Sequence, residues 1–211
     1  MNKGFMVVFD GSNGAGKTTV IKGVEQYLIS KGFDVLLTRE PGGTPIGEKI
    51  RDVILDPSTP EMSFMTELML FGAGRAQHIQ EKIIPALAQG KIVISDRFDA
   101  ATFSFQHYAR GIDLETIIKI NDLALAGFSP EMNIILDLDP CEGLKRVYSR
   151  GEGLDRLEDE KADFLIKARN GYLTQAKHSP DKFEVIDAAQ SKSVVLSSVI
   201  RVIDSLLAKH T

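Results

Sequence analysis

A glycine-rich segment near the start of the chain has the residue types and spacing needed to bind a nucleoside triphosphate. It fits the phosphate-loop pattern G-x-x-x-x-G-K-[ST], with an apolar run before it and a helical pattern after it. Glycines let the backbone turn its N–H groups around an anion, and the first turn of the following helix adds more. We therefore expect a nucleoside triphosphate to contact Gly11, Ser12, Asn13, Gly14, Ala15, Gly16, Lys17, Thr18 and Thr19.

Two side chains of this segment and one from a later apolar run predict phosphoryl chemistry with magnesium. Lys17 would reach the terminal phosphates, and Thr18 would give Mg²⁺ a hydroxyl ligand. Asp96 ends an apolar run and would hold the metal through water, as the acid of a Walker B strand does. Strands often end in Asp without any metal, so Asp96 predicts a metal only in combination with the phosphate loop.

Alternating patterns predict the elements that position these residues. Strand-like runs fall at 5–9, 34–38, 92–95, 133–137 and 183–186. Helical patterns fall at 18–31, 46–55, 67–89, 114–126, 142–148, 156–177 and 193–209, and Gly32 and Gly90 suit helix C-caps. The alternation predicts a single α/β domain, 1–211, with a doubly wound, five-stranded parallel sheet and helices on both faces. Ligands of such a sheet bind beyond the carboxyl ends of its strands.

Charged residues follow several of these predicted strand ends. The segment 38–44, with Arg39 and Glu40, is either a ligand contact or a plain Pro-Gly turn. Arg97, beside Asp96, suits a bidentate grip on phosphate. The glycine-hinged segment of about 149–157 carries Arg150 and Arg156, and it predicts a short lid that brings positive charge onto the transferring phosphoryl group.

Composition narrows the class of protein. The 211 residues are 43% hydrophobic and 26% charged, which is ordinary for a globular chain and excludes disordered and fibrous classes. No apolar run is long enough for a membrane helix or a signal peptide. A net charge of −4 argues against a nucleic-acid partner, and the single cysteine, Cys141, fits a cytoplasmic location.

Missing motifs favour one kind of kinase. The chain has no D-x-x-G switch and no N-K-x-D, so a GTPase is excluded, and without H-R-D a protein kinase is excluded too. A kinase whose acceptor is already a phosphate needs no general base, because its nucleophile is an anion. Several arginines and no convincing base therefore favour a nucleoside monophosphate kinase.

Further motifs are similar to those of the bacterial thymidylate kinase family, and the resemblance runs from residue 5 to the last predicted helix. Besides the phosphate loop, they are the segments 39–44, 70–75 (Leu-Phe-Gly-Ala-Gly-Arg), 96–98 (Asp-Arg-Phe), 105–106 with 110–111, 154–158 (Leu-Asp-Arg-Leu-Glu) and 186–188 (Ile-Asp-Ala). The resemblance implies transfer of a phosphoryl group from MgATP to dTMP, giving dTDP and ADP, by a homodimer. Kinases of another pyrimidine monophosphate (dUMP or a modified thymidylate) and a P-loop regulatory or motor ATPase are the alternatives.

The resemblance also implies roles for individual residues. Phe71 would stack on thymine, while Arg75, Thr102 and Gln106 would read its polar edge. Phe105 would crowd the sugar 2′ position, and Arg51 and Arg97 would hold the acceptor phosphate. The other implied substrate contacts are Asp10, Asn13, Glu40 and Pro41. The residues implied to bind MgATP or to assist the phosphoryl transfer are Lys17, Thr18, Asp96, Arg97, Arg150 and Arg156. Asp187 and Ala188 would also contact the ATP.

Several positions depart from the pattern of that family. Asn13 stands where an acid is usual, Phe105 where Tyr is usual, and Phe98 where Tyr or His is common. The segment 106–109 is bulkier, and the lid is one residue longer. Because these changes cluster around the sugar and the acceptor, they bear on which deoxynucleotide is used.

Overall fold

Five parallel strands form the sheet of the described chain. The computed structural model describes residues 4–149, 156–157 and 160–210. Within them the strand order is β2-β3-β1-β4-β5. The strands are β1 Met6–Gly11, β2 Val35–Arg39, β3 Ile92–Asp96, β4 Met132–Asp137 and β5 Phe183–Asp187. Each strand lies within two residues of a predicted run, so the predicted five-stranded parallel sheet is confirmed.

Helices connect these strands in the described part of the chain. They are α1 Lys17–Ser30, α2 Pro45–Leu55, α3 Phe64–His78, α4 Ile84–Ala88, α5 Asp99–Thr102, α6 Leu114–Leu125, α7 Pro140–Tyr148, α8 Ala162–His178 and α9 Lys192–His210. A π-helical segment, Ile79–Ile83, joins α3 to α4, and a second, Phe103–Ala109, continues α5. None of the described helices is both long and apolar enough to span a membrane.

Two of the predicted helices begin three or more residues away from their predicted start. The pattern at 67–89 begins earlier, at Phe64, because the Ser63 hydroxyl accepts a hydrogen bond from the Thr66 amide and caps the helix. It also widens into the π-helical segment just before Pro85, which lacks an N–H and would clash within a regular helix. The helix predicted at 156–177 begins only at Ala162.

Sequence patterns missed the helical segment from Asp99 to Ala109. Its aromatic and β-branched residues have low helix propensity, so local sequence does not predict a helix there. Close packing against α8 stabilises the helical segment instead. The two backbones approach so closely that a Cβ on Gly171 would lie only 2.9 Å from Ser104 Cα. The missed segment carries Thr102, Phe105 and Gln106, three of the predicted substrate residues.

Register in the sheet brings the predicted site residues to one edge. Central β1 pairs with β3 so that Phe9 lies opposite Asp96, which puts the phosphate loop beside Asp96 and Arg97. Side chains of α1 and α9 cover one face of the sheet, and Ile79 and Ile83 pack on the other. Gly32 and Gly90 directly follow the C-caps Lys31 and Gln89, and their φ of 85° and 77° is the left-handed conformation in which glycine ends a helix.

Candidate active site

The phosphate loop leaves β1 in a conformation that requires glycine. Gly14 has φ of 78°, and a Cβ there would lie 2.3 Å from the Gly143 carbonyl oxygen. Lys17 Nζ donates hydrogen bonds of 3.1 Å to the carbonyl oxygens of Gly11 and Ser12. At the start of α1, Gly16 provides no side-chain cap, so the first-turn N–H groups are arranged for an anion.

One cavity of about 340 Å³ joins this loop to the predicted acceptor residues. Its walls come from the phosphate loop, the ends of β2 and β3, helices α2 and α3, and the segment after β3. The sequence-predicted residues that line it are Asn13, Gly14, Gly16, Lys17, Thr18, Thr19, Glu40, Pro41, Arg51, Phe71, Arg75, Asp96, Arg97, Thr102, Phe105 and Gln106. A volume of this size lies within the range of small-molecule sites.

Oxygen atoms suited to magnesium lie in the same cavity. Thr18 and Asp96 both line it, and Asp96 Oδ1 is buried without a hydrogen-bond partner among the described residues. Hydroxyl and carboxylate oxygens are the ligands that Mg²⁺ prefers. No group of three or more His, Cys, Asp or Glu side chains within the described ranges could hold a metal alone. The donor set therefore fits an ion that is completed by water and phosphate oxygens.

Arg97 is held at the cavity wall by a network that starts from β1. Its guanidinium donates to Asn13 Oδ1 at 2.6 Å, to the Tyr172 hydroxyl at 3.0 Å and to Asp10 Oδ1 at 3.3 Å. Arg97 has φ of 71°, a left-handed conformation that is uncommon for a residue with a side chain. The guanidinium also lies 5.1 Å from the centre of the Phe105 ring.

Asp10 is the buried carboxylate of this network. Tyr172 donates a 2.7 Å hydrogen bond to its Oδ1, while Oδ2 is buried without a partner in the described chain. Burial raises the pKa of Asp10 to about 6, against the opposing charge of Arg97 and the hydrogen bond from Tyr172. Tyr172 comes from α8, far along the chain, and no local pattern in the sequence could have placed it here.

A second network fixes Arg75, which is almost fully buried. It pairs with Glu40 Oε2 at 2.9 Å and donates to Asn121 Oδ1, Thr102 Oγ1 and the Phe98 carbonyl oxygen. His78 contacts the other Glu40 oxygen at 3.0 Å, and the peptide bond from Glu40 to Pro41 is cis. The segment 38–44 is therefore part of the cavity wall and not only a turn. A pattern of apolar spacing could not reveal that Arg75 is an interior residue.

Glu67 is the centre of a third network, and the sequence did not reveal it either. Its carboxylate accepts hydrogen bonds from Gln106 Nε2 at 2.9 Å, from Arg110 at 3.2 Å and from Arg156 at 2.5 Å. The signal that could have found it is helical spacing, because Glu67 lies four residues before Phe71 on α3 and faces the same side.

The remaining predicted residues lie around the cavity or away from it. Arg51 lines the cavity while donating to the Pro41 carbonyl oxygen at 2.9 Å. Arg156 lies outside the cavity lining, with its Nε 2.8 Å from the Ile54 carbonyl oxygen. Gly11, Ser12 and Ala15 complete the phosphate loop without lining the cavity. Asp187 is the last residue of β5 and Ala188 follows it, at the same edge of the sheet. Arg150 and most of the predicted lid, 150–155, lie outside the described residues.

Comparisons with known proteins give one consistent result. A family model described as thymidylate kinase matches residues 9–199. Thymidylate kinase from Geobacillus sp. (strain WCH70) is 45% identical over 94% of this chain and 95% of its own length. The enzyme of the same name from Bacillus pumilus is 41% identical over 98% of both chains. Among solved structures, thymidylate kinase from Ehrlichia chaffeensis superposes with a TM-score of 0.76 at 32% identity, covering 95% of this chain and 98% of that one.

Proposed function

The chain belongs to the thymidylate kinase family, and from that premise we propose that it transfers the γ-phosphoryl group of ATP to dTMP, giving ADP and dTDP. One observation carries this proposal at the level of residues. A single cavity is lined both by the phosphate loop and by the side chains expected to hold a pyrimidine nucleotide. Donor and acceptor phosphates can therefore meet in one cavity, as in-line transfer requires.

At the donor end, the loop residues bind the triphosphate through backbone N–H groups. We assign the β- and γ-phosphates to Lys17 and to the N-terminus of α1. When the nucleotide is bound, Lys17 exchanges its two loop carbonyl contacts for phosphate oxygens. Magnesium held by Thr18 and, through water, by Asp96 would neutralise charge on the triphosphate.

At the acceptor end, the phosphate of dTMP needs binding and alignment, not deprotonation. Its oxygen is already an anion, so it forms the new bond to the γ-phosphorus as the bond to the β-phosphate oxygen breaks. Arg97 and Arg51 line the cavity and are placed to hold that phosphate. Phe71 offers an aromatic face for the base, and Phe105 lies beside Arg97, where the sugar would pass.

We also propose that the protein acts as a homodimer. Large apolar side chains are exposed on α3 and α6, two helices that pack against each other: Met65, Met69, Leu114, Ile118 and Leu123. Met65 with Met69 and Leu114 with Ile118 each lie four residues apart on one helix face, and contiguous exposed apolar patches mark protein interfaces. Light scattering at micromolar concentration should give twice the 23.2 kDa chain mass, and a mass of one chain would refute the dimer.

A coupled assay of ADP formation tests the proposed reaction. ATP is supplied with dTMP, dUMP or dCMP in turn, and we expect turnover that depends on dTMP. Preference for dUMP would indicate a kinase of another pyrimidine monophosphate. ATP turnover that does not depend on any acceptor would indicate a regulatory or motor ATPase and would refute both kinase functions.

A further inference from the structure

Glu67 is an ionised carboxylate in the protein interior. It has no exposed surface, yet Arg110 and Arg156 both donate to its Oε2. Burial opposes ionisation, but the hydrogen bonds from Arg110 and Gln106 outweigh it and hold the pKa of Glu67 below its ordinary value. Arg110 is paired in turn with Glu160. The cluster is therefore balanced in charge, and Glu67 carries no proton at neutral pH.

An ionised carboxylate can only accept hydrogen bonds, and this fixes the orientation of Gln106. Its amide NH₂ must point at Glu67, and Nε2 lies 2.9 Å from Oε1 of that carboxylate. The amide has only one other polar atom, the carbonyl oxygen Oε1 of Gln106, which is turned away from Glu67. Gln106 lines the cavity, and this oxygen is the one hydrogen-bond acceptor that its side chain has for a ligand there.

A fixed hydrogen-bond acceptor distinguishes pyrimidine bases at one atom. Thymine and uracil carry a hydrogen on N3 and can donate it, whereas cytosine has a bare N3 that only accepts. An acceptor facing N3 therefore attracts thymine and uracil and repels cytosine. If the amide of Gln106 were free to turn over, it would offer NH₂ instead and this discrimination would be lost.

We propose that Glu67 is a specificity-determining positioning residue: it holds the Gln106 amide in the one orientation that selects bases with N3–H over cytosine. The inference rests on the proposed function, since it takes the base of the acceptor nucleotide to lie against Gln106. Glu67 itself touches no substrate. It acts through Gln106. Arg156 donates hydrogen bonds to the Ile54 carbonyl oxygen on α2 and to Glu67 on α3, and its positive charge beside Glu67 keeps that carboxylate ionised.

The decisive variant is Glu67→Gln, which keeps the shape of the side chain but can donate as well as accept. Three constants are measured: the KM of dTMP, the KM of dUMP and the inhibition constant of dCMP against dTMP. We expect the preference for dTMP over dCMP to fall by about tenfold or more, the size of one good base-edge contact. The preference for dTMP over dUMP should stay within about twofold, because both bases carry N3–H.

Two further variants separate this role from general damage. Glu81→Gln makes the same change at an exposed position on the continuation of α3, where Glu81 accepts a hydrogen bond from Gln77. It should leave all three constants unchanged. In a Gln106→Ala background, Glu67→Gln should cause no further loss of discrimination, because the residue through which it acts is gone.

Should Glu67→Gln fail to fold, Glu67→Asp provides the same test. It keeps the negative charge between Arg110 and Arg156 but withdraws the carboxylate from Gln106, so discrimination against dCMP should fall by about threefold or more. An unchanged ratio in either folded variant would overturn the proposal. So would equal weakening of all three nucleotides, which is the signature of a purely structural residue. The proposed function fails separately, if the unmodified protein shows no dTMP-dependent ADP formation.

Discussion

The two ends of the cavity are built in different ways. The donor end, formed by the phosphate loop and the start of α1, is one continuous segment that presents mainly backbone N–H groups. The acceptor end, formed by Glu40, Phe71, Arg75, Thr102 and Gln106, is assembled from side chains on separate elements. A backbone site tolerates little change of conformation, whereas a side-chain site depends on the networks that hold each group in place.

Each end also contains one fully buried carboxylate, and the two behave in opposite ways. Asp10, below the phosphate loop, has one oxygen without a partner in the described chain, and burial raises its pKa to about 6. Glu67, behind the acceptor end, accepts hydrogen bonds from three side chains, which lower its pKa. Burial is common to both, so the number of donors around each carboxylate decides its ionisation.

The largest effect is expected at the acceptor end, from Glu40→Gln. It leaves Arg75, whose side chain is 1% exposed, without its carboxylate, and should lower the free energy of unfolding by about 3 kcal/mol or more. Urea unfolding at pH 7 measures this. The matched control is Glu115→Gln, because Glu115 forms an exposed ion pair with Lys119. This substitution should lower the free energy of unfolding by less than about 0.5 kcal/mol. Equal losses in the two variants would show that the buried network does not stabilise the acceptor end.

At the donor end, Lys17→Met should act on the rate and not on acceptor binding. We expect kcat to fall by about 10²–10³-fold, while the KM of dTMP stays within about twofold. The measurement is steady-state kinetics with each substrate varied in turn. Lys22→Met makes the same change at an exposed position of α1 and should have no effect. A large rise in the KM of dTMP with kcat intact would place Lys17 at the wrong end of the cavity.

The pH dependence of stability should separate the two buried carboxylates. The folded-state pKa of Asp10 lies above its ordinary value of 3.8, so folding binds protons and stability falls as pH rises from about 4 through about 6. Relative to Asp10→Asn, the unmodified protein should lose about 3 kcal/mol over that range. For Glu67 the change of stability with pH has the opposite sign. Its stabilising contribution is present above about pH 4.5 and is lost as pH falls through its lowered pKa.

Urea unfolding of the unmodified protein, Asp10→Asn and Glu67→Gln between pH 3.5 and about 7.5 checks both signs. The two difference curves should slope in opposite directions. Parallel curves would contradict the contrast between the carboxylates.

The smallest effect is expected where the two ends meet. Asn13 accepts a 2.6 Å hydrogen bond from Arg97, and both residues line the cavity. In Asn13→Asp, a new charge would compete with the acceptor phosphate for Arg97, raising the KM of dTMP by about fivefold. The KM of ATP should change by less than about twofold. A change in the KM of ATP with an unchanged KM of dTMP would show that Asn13 belongs to the donor end alone.

The contrast between the ends also explains what the sequence could predict. The sequence predicts the donor end because a backbone site needs glycines at fixed local spacing, as at Gly14 and Gly16. It also predicts the position of Asp96, because Asp96 ends an apolar run typical of a strand. Arg75, taken alone, resembles a solvated helix arginine, and only the fold shows that it is buried. Glu67 and Tyr172 meet their partners from distant parts of the chain. Tertiary packing, not propensity, makes the segment after β3 helical.

The most direct test of the account is the binding of a molecule that occupies both ends at once. We would measure, by calorimetry, the Kd of a dinucleoside pentaphosphate that joins adenosine to thymidine, beside the Kd of ATP and of dTMP. Two linked sites in one cavity predict binding at least about 100-fold tighter than either nucleotide, with each of them competing. Binding no tighter than that of ATP alone would mean that the two ends do not form one site.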